Sequence, residues 1–190
     1  MNNLPRLGVN IDHIAFIKKS RDTLYPNLLD AVRIAEHAGA DLITIHLRED
    51  RRHIQDKDAL DIRQYAKVLN FEMANTVEMI QFAITLKPDF CCIVPEKREE
   101  KTTEGGLSLS SYTDKQIASL KTTITDFRNH KIKTSLFIDP DNRSIDIAKD
   151  VGADLVELHT GKYANQFNTI NEFESLEAVS YTHLTLPTKA

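Results

Sequence analysis

The chain has 190 residues, of which 41% are hydrophobic and 27% charged, and a net charge of −4, an ordinary globular composition with enough length to bury a substantial core. Nothing in that balance suggests nucleic acid or a membrane as partner, no apolar run approaches the roughly 18–20 residues needed to span a bilayer, and the N-terminus lacks a signal-peptide core. The two cysteines are the neighbours Cys91 and Cys92, which on a strand point to opposite faces, so they read as small buried hydrophobes in a reducing, cytoplasmic compartment.

Residues 7–11 read as a first strand ending in Asn10, Asp12 and His13, followed by a polar, basic segment with Lys18, Lys19 and Arg21. Leu28, Leu29, Val32 and Ala35 then recur at helical spacing, with Asn27 as N-cap and Gly39 as the C′ residue. A short β-branched strand, residues 42–45, runs straight into His46, Arg48, Glu49, Asp50, Arg51, Arg52 and His53. Such a stretch is either a solvated, self-neutralising charge cluster or the place where an α/β protein binds an anionic ligand, and the strand leading into it favours the second. A helix is expected over residues 58–69 (Leu60, Ile62, Tyr65, Val68), then a strand over 70–73, and a helix capped by Asn75 with Glu78 and ended by Pro88.

Residues 90–94 are a fully apolar strand, followed by a loop holding Thr102 and the pair Gly105-Gly106. Thr113 with Gln116 opens a helix whose stripe is Ile117, Leu120, Ile124 and Phe127. A strand over 134–138, a turn over 139–142, a short helix over 145–151 and a strand over 155–159 complete the ordered pattern. Residues 38–46 (AGADLITIH) are echoed by 151–159 (VGADLVELH), each reading as helix end, glycine, strand, histidine. Strict alternation implies right-handed crossovers and a parallel sheet. Polar residues at each strand end, with no Gly-rich phosphate motif opening a helix, favour a (β/α)₈ TIM barrel, with about six of its eight units in this chain, over a doubly wound sheet. A sixth helix is expected over 170–178. The run over 179–190 breaks its pattern and resembles the translation of a transposon adapter, so residues 1–178 read as a partial barrel domain and 179–190 as a non-native tail.

The strand ends supply Asn10, Asp12, His13, His46, Arg48, His53, Glu72, Thr102, Glu157 and His159. Imidazole beside glutamates makes a general acid–base set, and arginines with the amides of a Gly-Gly loop suit phosphate. Each residue alone has a plainer reading: His46 as a strand-end cap, Glu72 as an arginine's partner, Thr102 as a turn hydroxyl. Their recurrence on successive strand ends argues for a site. His37 and His130 read as surface residues, and no linear spacing of His, Cys or carboxylate suggests a metal, so none is expected.

The motifs LGVNIDHIA (7–15), IHLREDRRHI (45–54), FCCIVPEKR (90–98), TTEGG (102–106) and ELHTG (157–161) resemble the pyridoxine 5′-phosphate synthase family, over residues 7–163. The resemblance implies a (β/α)₈ barrel that condenses 1-deoxy-D-xylulose 5-phosphate with 3-amino-2-oxopropyl phosphate to pyridoxine 5′-phosphate, phosphate and water. It implies His46 and Glu72 as proton-transfer residues, with Glu157 assisting deeper in the barrel. Asn10 would contact the amino-ketone phosphate, and Asp12, His13, Arg48, His53 and Thr102 the deoxyxylulose phosphate. Arg21 would reach in from a neighbouring subunit of a homo-oligomer. No metal or redox cofactor is implied, and the partners are small phosphorylated molecules. The family's last two strands carry a third catalytic histidine and glycine-rich phosphate loops that nothing in this sequence matches, so the 190-residue chain by itself is expected to be inactive. The alternatives are another phosphosugar-handling TIM-barrel enzyme or a non-catalytic phosphate-binding module. A Schiff-base aldolase would want a strand-end lysine, which the strand segments lack, and a binding module would not need both His46 and Glu72.

Overall fold

The computed structural model describes residues 5–21, 23–96 and 105–166, in two compact units, 1–91 and 92–190. The first holds parallel strands β1 (Gly8–Asn10), β2 (Leu42–His46) and β3 (Leu69–Met73), with helices α1 (Asp12–Ser20), α2 (Leu28–His37), α3 (Asp56–Tyr65) and α4 (Val77–Leu86). Strand β4 (Phe90–Ile93) carries the chain across the boundary. The second unit holds α5 (Asp114–Asn129), β5 (Lys133–Ile138), α6 (Asn142–Asp150), β6 (Leu155–Leu158) and the short α7 (Gly161–Gln166). Strands neighbour one another in chain order, β1-β2-β3-β4-β5-β6, without the reversal that marks a doubly wound sheet. The fold is α/β, with the strand order of a TIM barrel and six of its strands among the described residues.

Register separates the two faces of the first unit's strands. Thr44 pairs with Asn10 on one side and Asn70 on the other, and His46 pairs with Glu72. Paired residues in a sheet share a face and alternate with a period of two. One face is therefore a polar ladder of Asn10, Thr44, Asn70, His46 and Glu72, in which the Asn70 amide donates to Thr44 Oγ1 at 3.3 Å. The other carries Ile43, Ile45, Leu69, Phe71 and Met73, all fully buried. In the second unit, Leu136 and Ile138 of β5 are buried in the same way, as is Phe127 of α5.

An aspartate fixes where strands begin. Asp41, just before β2, donates its N–H to the Leu7 carbonyl at 2.8 Å and accepts the Leu7 N–H on Oδ2 at 2.7 Å. Asp89, just before β4, closes the same two-bond ring with Leu69 at 3.1 and 2.9 Å, and Asp154, just before β6, closes it with Thr134 at 3.0 and 3.0 Å. The Gly-Ala-Asp echo thus has a physical basis: Gly39 and Gly152 take positive φ (+104° and +85°) after their helices, and the aspartate then caps the start of the neighbouring strand.

Several elements differ from the sequence reading. The basic segment after β1 is helix α1, which buries only Ala15. Asp12 in its first turn and Lys18 and Lys19 in its last complement the helix dipole, while Lys19 donates to the Arg51 carbonyl at 2.8 Å and Lys18 pairs with Asp58 at 3.5 Å. Helix α3 ends at Tyr65, four residues short of the expected end. Leu69 already opens β3, and just before it the Val68 carbonyl accepts the Ile43 N–H at 3.0 Å. Helix α4 is capped by Thr76 rather than Asn75, its Oγ1 accepting the Met79 N–H. Helix α6 starts at Asn142, where Asp141 accepts the Ser144 N–H at 2.9 Å. Asn27 and the Thr113–Gln116 capping box stand where the sequence places them. Thr102, the expected helix over 170–178 and the tail over 179–190 lie outside the described residues.

Candidate active site

The polar ladder ends, at the C-terminal ends of β1, β2 and β3, in Asp12, His46 and Glu72. His46 Nδ1 lies 4.0 Å from Glu72 Oε2, with only 12% and 15% of the two side chains exposed. Backbone contacts fix the pair from both sides. The His46 N–H donates to Asp12 Oδ1 at 2.9 Å, and the Leu47 N–H donates to the Glu72 carbonyl at 3.2 Å. Asn10 holds Asp12 in turn, its amide donating to Oδ2 at 3.0 Å and its carbonyl oxygen accepting the Asp12 N–H at 2.8 Å. Burial raises the Asp12 pKa above its ordinary value, against the lowering pull of the His46 N–H, Asn10 and the charges of His46 and His53.

The charge cluster after β2 divides into two functions. Arg51, at φ +49°, donates to Asp56 at 2.8 Å, to the Glu49 carbonyl at 3.0 Å and to Glu78, binding the loop to α3 and α4. Arg52 pairs with Asp50 at 2.6 Å. These two residues fit the plain reading of a self-neutralising cluster. Arg48 also pairs with Asp50, its Nε 3.4 Å from Oδ1, but unlike Arg51 and Arg52 it is buried. His53 stands edge-on to Phe16, and its buried Nδ1 has no hydrogen-bond partner among the described residues. Burial lowers the His53 pKa, opposed by Asp12 and reinforced by the charges of Arg52 and Arg48. Although burial works against it, the Asp50 carboxyl is held at about 2 by hydrogen bonds from Arg52 and the charges of Arg48 and Arg52.

The structure thus brings Asn10, Asp12, His46, Glu72, Arg48 and His53 to one end of the first unit. His13 and Arg21 are exposed on the first turn and at the C-cap of α1. Glu157 belongs to the second unit, where Cys92 Sγ lies 3.5 Å from its Oε2. Glu157 is exposed, on β6, the last strand in the sheet order among the described residues. Sequence reasoning missed the role of Asp12 as the acceptor for the His46 backbone. The Asn-x-Asp spacing at residues 10–12, which makes an Asx-type turn, was the available signal. Ligand atoms of Asp12, His46 and Glu72 all lie within 4.8 Å of one another, a donor set able to hold a divalent cation. Linear spacing could not show it, since each donor comes from a different strand end.

A parallel α/β chain whose strands follow one another in barrel order, with an imidazole–carboxylate pair and a buried arginine at the strand ends, has the fold class of the TIM-barrel proteins. The family model described as "Pyridoxal phosphate biosynthesis protein PdxJ" matches residues 7–185, and the chain belongs to that family. It is 53% identical over 161 residues to the pyridoxine 5′-phosphate synthase of Thioalkalivibrio sulfidiphilus, covering 84% of this chain and 64% of that protein. It is 51% identical to the synthase of Coxiella burnetii (84% and 65%), and 49% identical to that of Neisseria meningitidis (91% and 70%). The chain therefore spans just under two thirds of the length of the first two relatives. In fold it is similar to a mandelate oxidase variant (TM-score 0.54, 13% identity, 82% of this chain and 52% of that one). It is also similar in fold to the D-psicose 3-epimerase of Clostridium cellulolyticum (TM-score 0.52, 10% identity, 93% and 71%).

Proposed function

We propose that the protein its gene encodes is a pyridoxine 5′-phosphate synthase, joining 1-deoxy-D-xylulose 5-phosphate to 3-amino-2-oxopropyl phosphate with release of phosphate and water. The observation that carries this reading is the His46–Glu72 pair, 4.0 Å apart on one sheet face with its backbone fixed by Asp12. Imine formation, dehydration and ring closure are successive proton transfers, which an imidazole and a carboxylate can accept and return. His46 and Glu72 take that role, with Glu157 as a third acid–base group.

Arg48 supplies a buried guanidinium and His53 a ring nitrogen for the deoxyxylulose phosphate, with Asp12, His13 and Thr102 as further contacts. Asn10 contacts the amino-ketone phosphate, and Arg21 serves a neighbouring subunit of a homo-oligomer. The protein works in the cytoplasm on small phosphorylated molecules, with no nucleic acid or membrane as partner. Incubating the encoded protein with both substrates, and following pyridoxine 5′-phosphate by chromatography and phosphate by colorimetry, tests the reading. Stoichiometric formation of both is expected. Tight binding of both substrates without turnover would replace the reading with a phosphate-binding module.

A further inference from the structure

Asp12, His46 and Glu72 stand at the C-terminal ends of three neighbouring strands of the first unit, β1, β2 and β3. One ligand atom from each lies within 4.8 Å of the other two, and His46 Nδ1 is 4.0 Å from Glu72 Oε2. The backbone that carries them is held by packing, because the adjoining residues Ile11, Leu47 and Met73 are at most 1% exposed. Asp12 Oδ1 accepts the His46 N–H and Oδ2 the Asn10 amide, which leaves each oxygen a lone pair for another partner.

Donors sit about 2.0–2.2 Å from a zinc ion, hence about 3.3 Å from one another in a tetrahedron. The His46–Glu72 pair at 4.0 Å has to close by about 0.7 Å to meet that geometry, a distance the side-chain torsions of Glu72 can supply. The donor types select the ion. An imidazole with two carboxylates is a nitrogen–oxygen set that suits zinc, cobalt or nickel, whereas magnesium and calcium take oxygen ligands. Three protein ligands leave the fourth position of the tetrahedron to water. Asn10 makes the outer contact that orients a ligating carboxylate. Two carboxylates and a neutral imidazole carry two negative charges, which a divalent cation balances, while the guanidiniums of Arg48 and Arg52 are paired with Asp50.

We propose that Asp12, His46 and Glu72 form an inhibitory site for a divalent transition cation of the zinc class. The bound cation takes a lone pair of His46 and one of Glu72, the same pairs that would accept a proton from substrate, so proton transfer stops until the cation leaves. No bond of the substrate is made or broken in this step. Binding of the cation stands on the geometry of the three donors, and the inhibition rests on the synthase reading.

The test titrates the metal-free encoded protein with zinc chloride by calorimetry, with magnesium chloride as the contrast. One Zn²⁺ per chain is expected, with no comparable binding of Mg²⁺. Asn10→Ala should weaken Zn²⁺ about tenfold, and Asp12→Asn and Glu72→Gln, which keep the shape of the ligands, should weaken it more than that. In wild-type protein with ¹⁵N-labelled histidine, Zn²⁺ should shift the ring nitrogens of His46 and leave those of His37 and His130 in place. Product formation should fall over the Zn²⁺ concentrations that fill the site and return when a chelator is added. Zn²⁺ affinity unchanged in both Asp12→Asn and Glu72→Gln would overturn the site, as would unmoved His46 ring nitrogens in the wild type. Full turnover with the site filled would overturn the inhibition. A wild type that binds Zn²⁺ as expected, yet forms no product in its absence, would overturn the synthase reading and leave the cation site standing.

Discussion

The carboxylate of Asp12 accepts the backbone N–H of His46 at 2.9 Å, so the first residue of one helix sets the last residue of the neighbouring strand. Asp12→Ala should leave that N–H without its acceptor, costing about 1–3 kcal/mol and lowering kcat through His46. Asp12→Asn keeps an oxygen for the N–H and should remain within about 1 kcal/mol of wild type. The two proteins should differ with pH. Because burial raises the Asp12 pKa above 3.8, the folded state holds its proton over a window in which the unfolded state has lost it. Wild-type stability therefore falls as pH rises through that window, and the contribution is absent in Asp12→Asn. Urea melts between pH 3.5 and about 7 measure the difference, and parallel curves would refute it.

His46→Ala and Glu72→Gln in the encoded protein should each lower kcat on the order of 10²–10⁴-fold with little change in KM, as removal of a proton-transfer group does. Arg48→Ala should chiefly raise KM for deoxyxylulose phosphate, by about 10–100-fold, the worth of a charge-assisted contact made in ground and transition states alike. Steady-state kinetics on the three variants separates the roles. A near-normal kcat in His46→Ala would leave the imidazole as lining only and move the proton transfer to Glu72, Glu157 or the family's third catalytic histidine, which nothing in this sequence matches.

The charge cluster also predicts what will not affect binding. Arg51→Ala removes contacts to Asp56, Glu78 and the Glu49 carbonyl, and should destabilise by about 2–3 kcal/mol with KM unchanged. Denaturant melts alongside kinetics test this, since a KM effect equal to that of Arg48→Ala would mean the cluster acts as one binding surface.

How much of this was legible in the sequence depends on whether the signal was local. Caps such as Asn27 and the Thr113–Gln116 box are decided within four residues, and they stand as expected. The apolar strands were legible for the same reason, their β-branched runs being complete in themselves. Helix α1 was not, because it buries only Ala15 and is held by Lys18 and Lys19 reaching residues more than thirty positions away. The end of α3 was misplaced because Val68 continues a helical spacing while its carbonyl is taken by Ile43 of another strand. In the site, residue types showed His46, Glu72 and Arg48 as candidates, but nothing local distinguished Arg48, buried beside Asp50, from Arg51, spent on α3 and α4.

Asp50 gives an acid-stability signature. Its carboxyl sits at about 2 against an ordinary 3.8, so the folded state holds the charged form where the unfolded state begins to protonate. The resulting stabilisation is present above about pH 4 and is lost as pH falls towards 2. The group is partly exposed to solvent, so screening keeps its contribution to about 1 kcal/mol or less. Asp50→Asn should lower stability by that amount at pH 7 and converge with wild type near pH 2. A constant difference across the range, read by thermal melts, would assign the loss to packing instead.

The aspartates that open β2, β4 and β6 should behave as one device. Asp41, Asp89 and Asp154 each exchange two hydrogen bonds with a single residue at the start of the preceding strand, Leu7, Leu69 and Thr134. Replacing the carboxylate by alanine removes the acceptor of one backbone N–H in each case. Asparagine keeps an oxygen in the same place, so Asp→Asn should cost a few tenths of a kcal/mol and Asp→Ala about 1 kcal/mol at Asp41 and Asp154. Asp89→Ala should cost more, because Asp89 also pairs with Arg63 at 3.2 Å. Amide hydrogen exchange at Leu7, Leu69 and Thr134 reads the effect at its source: faster exchange at the one partner residue is expected in each alanine variant. Equal losses in the asparagine and alanine variants would mean that charge, rather than the strand-start hydrogen bond, is what the aspartate contributes.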